Sequence, residues 1–414
     1  MISEIRIQNF KSIHDLALKP GRVTVLIGEN GSGKSNILEA IAFAAGAAAG
    51  KLDSIFLANR GVRVVEDTWT TAAFPPGEDE DEEKGPKRIR LSVKGGSEEP
   101  VFECRVHAKR RKDDGSFDSW AVSAPVWKKE VDEAFQEQEF AEEIEKTLEG
   151  LKSKGGTRKD ANSQLEQTLR RVLASARLSA QKRAKLEHNA TVLGLADFMI
   201  YAPDNETLRT PPPESVVQPL GVRGQGLLKL LQSFSEPKFA ERLPDMKERL
   251  QLFGWFEDFL TPDDAATVEA RLQIRDKWLA QDRAVFDQRS ANEGFLYLLF
   301  YFTVLMSWRT PRFFAFDNVD NALNPKLCSA LMRQIAELTK KHKKQVICTT
   351  HNAAILDGLN LHDDEQRLYA VRRDSDGHTV VHRVRAPQPQ SGETPVRLSE
   401  AFARGIIGGL PDHF

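Results

Sequence analysis

An α/β fold with a mixed sheet at its core is predicted for this 414-residue chain by three apolar strands, each ending on a polar cluster. "VTVLIG" (23–28) runs into the glycine-rich stretch "GENGSGKS" (Gly28 to Ser35), "PRFFAFD" ends on Asp317, and "QVICTTHN" presents Thr350 and His351. In open α/β sheets ligands gather at the carboxyl ends of the strands. The three ends are therefore expected to meet.

The alternation of "ISEIRIQNF" opens the chain as a strand, not as a charged head followed by an apolar block, so no signal peptide is expected. Residues 2 to about 46 read strand, turn, strand, glycine-rich loop and a helix rich in alanine. The Pro, Gly and acid run "FPPGEDEDEEKGPK" (74–87) cannot bury itself and reads as a solvated loop. Three alternating runs between 88 and 123 predict a small antiparallel meander. From about 128 to 191 the period becomes helical, with "GGTRKDAN" as the turn of an inserted hairpin. Its Arg170, Arg171, Arg177, Lys182, Arg183 and Lys185 form a solvated face or a partner surface. Mixed strands and helices fill 195–287, and "GFLYLLFYFTVLMSW" (294–308) is a buried helix, short of the roughly 20 residues that span a bilayer. The expected division is 1–125, an N-terminal lobe; 126–194, the helical insertion; and 195–414, a C-terminal lobe.

"GENGSGKS" has the spacing of a phosphate-binding P-loop and follows a strand, as that loop must. Backbone N–H groups of Gly28, Glu29, Asn30, Gly31, Ser32 and Gly33 can turn toward phosphate oxygens, and Asn36 follows in the helix. Lys34 reaches the β- and γ-phosphates of ATP, and Ser35 with Asp317 can hold Mg2+. His351 is placed to donate to the γ-phosphate. Ser290 with Glu293 three residues on forms a capping-box pattern, and a helix beginning there, with Asn292 and Gly294, offers an anion site.

Together "IRIQNFKSI", "GENGSGKSN", "SANEG", "FDNVDNALNP", "TTHNAAILDGL" and "LSEAFARGIIGGLPDHF" resemble the ABC-type ATPase heads of the RecF, SMC and OLD class, especially short prokaryotic anti-phage (abortive infection, Septu-like) versions. The resemblance covers both ends and, through 203–231, part of the centre. It implies a two-lobed P-loop NTPase head that forms a homodimer or higher homo-oligomer around two ATP molecules. Each site would join one chain's P-loop to the other's signature segment. In that pattern a Glu follows the magnesium Asp. Here Asn318 stands there, able to orient water but not to accept its proton, and Asp320 is the nearby carboxylate, either a substitute base or the cap of a turn in "DNVDNALNP". The other departure is the signature itself, Asn292 with Gly294 where such heads carry a signature serine and a compact Gly-containing motif. Slow hydrolysis and a long-lived ATP-bound dimer are expected.

About 60 residues follow His351, too few for a TOPRIM nuclease. Asp374-Ser-Asp376 before Gly377 reads as a hairpin turn. The resemblance then implies a separate TOPRIM-like or HNH nuclease effector, with a RecF-like DNA-binding repair ATPase as the alternative and a transporter subunit as the weaker third. The 58 basic and 60 acidic residues nearly cancel, so nucleic-acid contact is confined to patches such as "KRRK" (109–112). "KKHKK" (340–344) reads as cations offsetting a helix dipole. Cys104, Cys328 and Cys348 lack metal-ligand spacing and fit a reducing, cytoplasmic setting with no membrane contact.

Overall fold

The computed structural model describes residues 1–63, 67–71, 88–95, 100–111, 116–123, 194–210, 219–262, 271–386 and 396–408. The helical hairpin expected from about 128 to 191 and the acidic run at 74–87 lie outside them.

Strands β1 (Glu4–Phe10) and β2 (Ile13–Leu18) form a hairpin. Strand β3 (Val23–Ile27) then leads through the glycine-rich loop into helix α1 (Lys34–Ala48). The meander expected at 88–123 is present as β4 (Ile89–Lys94), β5 (Pro100–Arg110) and β6 (Phe117–Ser123). It is not free-standing: β4 pairs with β1, giving one antiparallel sheet in the order β2-β1-β4-β5-β6. The reason lies in the alternation of β1. Ile5 and Ile7 are buried while Arg6 is exposed, so one face must be covered, and β4 extends that face with Ile89, Leu91 and Val93.

The central sheet has the order β14-β13-β3-β12-β11-β7, built from β7 (Ile200–Tyr201), β11 (Phe313–Phe316), β12 (Gln345–Thr350), β13 (Gln366–Arg373) and β14 (Thr379–Val384). All neighbours run parallel except β13 and β14, which form an antiparallel hairpin around the turn expected at Asp374–Gly377. A third sheet, β10-β9-β8, takes in β8 (Phe256–Leu260), β9 (Gln273–Asp276) and β10 (Val285–Asp287). Short helices α2 (Ser54–Ala58), α3 (Asp67–Thr70), α4 (Asn205–Arg209) and α5 (Leu227–Gln232) and the longer α6 (Arg242–Leu250) lie in the connections.

Helix α7 (Glu293–Met306) is buried from Gly294 to Met306, as the uninterrupted apolar run requires. Its N-cap corrects the sequence reading. Asn292, not Ser290, accepts the Phe295 N–H at 3.3 Å, because Ser290 is still in the preceding turn with its N–H on Asp287. Helix α8 (Pro325–Lys341) buries Cys328, Leu331, Met332, Ile335 and Leu338, one face of a 3.6-residue period. It starts on an Asn324 cap followed by Pro325, both preferred there.

The central sheet divides two cores. Val23, Val25 and Ile27 face α7 and α8, whereas Leu26 packs with α1 and the antiparallel sheet. The run at 340–344 splits similarly. Lys340 and Lys341 sit in the last turn of α8, but Lys344 is buried and donates to the Val304 carbonyl of α7 at 2.8 Å. Burial, with Arg242 and Arg312 nearby, holds its ammonium well below the usual lysine range. All three cysteines are buried and unpaired, and helix α9 (Leu398–Ala403) closes the described chain. No described helix is long and apolar enough to cross a membrane.

Candidate nucleotide-binding site

Because β3 lies between β12 and β13, with β11 next to β12, the three polar strand ends of the sequence meet on one edge. The loop after β3 turns tightly, with Gly31 at φ +81 and Gly33 at φ +105, the left-handed region that suits glycine. Lys34, the first residue of α1, is 5% exposed, and its Nζ donates to the carbonyls of Gly28 at 2.9 Å and Glu29 at 2.8 Å. His351 Nδ1 lies 3.5 Å from the same ammonium. The Ser35 hydroxyl donates to Asp317 at 3.2 Å, and the Thr349 hydroxyl donates to the same carboxylate. Two oxygen ligands are thus paired where a hard divalent cation would sit between them in place of their hydrogen bond, the hydroxyl keeping its proton. Ser35 and Asp317 fit Mg2+.

Burial lowers the Lys34 pKa to about 8, against the opposing pull of Asp317. Burial, then Lys34, keeps His351 below its ordinary range, so the imidazole is neutral at pH 7 and has one N–H to donate. The unfolded chain holds the lysine proton up to about 10.5, so burial of the charge costs stability below pH 8. That cost is relieved as pH rises from about 8 to 10.5. Affinity for a triphosphate, which needs the ammonium, is expected to decline above pH 8 while the melting temperature does not fall with it. Titrating a fluorescent ATP analogue from pH 7 to 9.5 checks this.

Asn318, next after Asp317, sits at φ +52 with its N–H on Thr349 Oγ1 at 2.9 Å. Asp320 accepts the Thr350 hydroxyl at 2.6 Å, so its carboxylate is tied to the end of β12. Ser290 and Asn292 are exposed at the start of α7, whereas Gly294 is buried with a Cβ position 3.0 Å from the Ala322 carbonyl. Among the described residues no hydrogen bond links these three to the phosphate loop. Asn36 donates to Ser12 Oγ at 2.7 Å and accepts from Arg63. Glu39, 2% exposed, binds both Lys11 and Arg63.

Sequence reading missed Thr349 and Thr379. The hydroxyl of Thr349 orders Asp317 and Asn318, yet within "QVICTT" it looks like any β-branched strand residue. Thr379 bonds the Ser32 carbonyl from 347 positions away, and no local pattern could show that.

The model of the RecF/RecN/SMC N-terminal domain matches residues 1–379. The chain belongs to that family. No curated protein matches the sequence. Among solved structures, an SMC head bound to the C-terminal winged-helix domain of ScpA aligns with TM-score 0.51 and 16% identity over 93% of this chain and 98% of its own. A Pyrococcus furiosus SMC head with an extended coiled coil, bound to the C-terminal domain of ScpA, gives 0.46 and 14% over 93% and 96%. A Thermotoga maritima SMC head domain gives 0.41 and 13% over 92% and 98%. This member of the RecF/RecN/SMC family has the fold of an ABC-type ATPase head, in agreement with the sequence expectation.

Proposed function

We propose that this chain binds Mg-ATP, hydrolyses it slowly, and acts as a nucleotide-gated switch by engaging a second copy of itself. One observation carries the reading: Lys34, Ser35, Asp317 and His351 meet at three adjacent strand ends, while the residue after Asp317 is an amide. The groups that would hold Mg-ATP come together, and the residue after Asp317 cannot itself accept a proton. A positioned base is worth roughly two to four orders of magnitude in rate, so affinity outlasts turnover.

Ser290 and Asn292 support the dimer, since they are exposed at a helix start and unbonded to their own loop. A partner's γ-phosphate would find N–H groups and a positive helix end there. The engaged state would control a separate nuclease effector, the anti-phage form that the resemblance suggests. Exposed Arg90, Arg105, Lys109 and Arg110 on the antiparallel sheet favour the alternative, a RecF-like grip on DNA.

Light scattering with and without Mg-ATP, alongside phosphate release, tests the switch. ATP is expected to convert monomer to dimer with turnover far slower than dissociation of a typical product. A chain that stays monomeric, or hydrolyses briskly, overturns it. DNA binding by the isolated protein only in ATP would select the alternative output.

A further inference from the structure

The phosphate loop is gripped from behind by the β13–β14 hairpin, which is more than 330 residues away in sequence. Arg373, at the end of β13, donates from Nε to the Gly31 carbonyl at 3.0 Å. Thr379, at the start of β14, donates from Oγ1 to the Ser32 carbonyl at 3.0 Å. Its hydroxyl also meets Ser12 Oγ at 2.7 Å, and the Ser12 hydroxyl accepts from Asn36 Nδ2 at 2.7 Å. The Thr379 N–H closes the set on the Ser12 carbonyl at 2.7 Å. Contact is close elsewhere too: a Cβ on Gly28 would lie 2.1 Å from the Val371 carbonyl, and one on Gly33 would lie 2.1 Å from Thr379 Oγ1.

A trans peptide points its C=O and the following N–H in opposite directions. Fixing the Ser32 carbonyl toward the hairpin therefore aims the Gly33 N–H away from it, into the concave side of the loop. Fixing the Gly31 carbonyl does the same for the Ser32 N–H, which donates to the Glu29 carbonyl across the loop at 3.4 Å. Both planes contain glycine, whose backbone would otherwise sample many orientations. The loop's own sequence does not select one.

We propose that Thr379 and Arg373 are positioning residues that preset the phosphate loop, so that affinity for the nucleotide phosphates is set by the C-terminal hairpin as well as by the loop. This rests on the reading of the site as nucleotide-binding. Neither residue would touch the nucleotide; each acts through a backbone carbonyl.

The decisive variant is Thr379→Val, which keeps the shape and removes the hydroxyl, with Thr379→Ser as the rescue. Thr379→Val is expected to weaken Mg-ATP binding about tenfold, the worth of one or two hydrogen bonds, with kcat at saturation changed less than about twofold. Thr379→Ser is expected to bind as the wild type does. Arg373→Met, at a partly exposed position, should weaken binding in the same sense and serves if Thr379→Val does not fold. Hydrogen exchange of the amides of 28–36 in the nucleotide-free protein is expected to quicken in Thr379→Val and not in Thr379→Ser. Unchanged affinity and exchange in both Thr379→Val and Arg373→Met, or a loss in Thr379→Ser equal to that in Thr379→Val, overturns the proposal. A wild type that takes up no Mg-ATP overturns the nucleotide reading instead, and the exchange rates then decide the positioning role by themselves.

Discussion

Replacing Asn318 with glutamate is expected to speed ATP hydrolysis by roughly 100-fold or more, since a general base placed beside the attacking water contributes about two to four orders of magnitude. The backbone already presents the position: the Asn318 N–H is fixed on Thr349, whose hydroxyl also holds Asp317. The gain carries a cost. At φ +52 an asparagine is tolerated because its short amide suits the left-handed region. A longer carboxylate there is expected to lose on the order of 1 kcal/mol of stability. Phosphate release and thermal melts on the same samples would read both effects. Asp320→Asn should leave the gain in place, because that carboxylate is engaged by Thr350. If Asn318→Glu is no faster than the wild type while Asp320→Asn is slower, the proton acceptor is Asp320.

Lys34→Met is expected to weaken Mg-ATP binding on the order of 100-fold, since a charged hydrogen bond contributes about 1.5–3 kcal/mol and this ammonium can make more than one to a triphosphate. Two losses combine. The phosphates lose their cation, and the carbonyls of Gly28 and Glu29 lose the donor that now satisfies them. Isothermal titration with Mg-ATP gives the number. Binding within threefold of the wild type would show that this lysine is a structural brace of the loop and nothing more.

The parts of the site that are contiguous in sequence were legible. Glycine spacing after an apolar strand located Lys34 and Ser35, and apolar runs ending on Asp317 and His351 located the other two strand ends, because strand and loop signals are local. Position in the sheet was not legible, since pairing depends on partners hundreds of residues apart. The meander's merger with β1 is of that kind, as is the bond from Thr379 to the loop. The cap of α7 failed for a different reason. Ser290 and Glu293 match a general spacing rule, but the turn held by Asp287 delays the helix until Asn292 can cap it. Lys344 looked like one more surface cation in a basic run, and only the fold reveals that it reaches back to α7.

Strand β3 takes its neighbours from residues 345–350 and 366–373. During synthesis, at roughly 5–20 residues per second, the ribosome finishes Lys34 well before it makes either flanking strand. For that interval, on the order of 15 seconds or more, β3 carries two bare edges of the sort that invite pairing with other chains. Truncated products that stop before residue 345 should accordingly collect in inclusion bodies or on chaperones, and nucleotide uptake should begin abruptly once the last hairpin has cleared the exit tunnel.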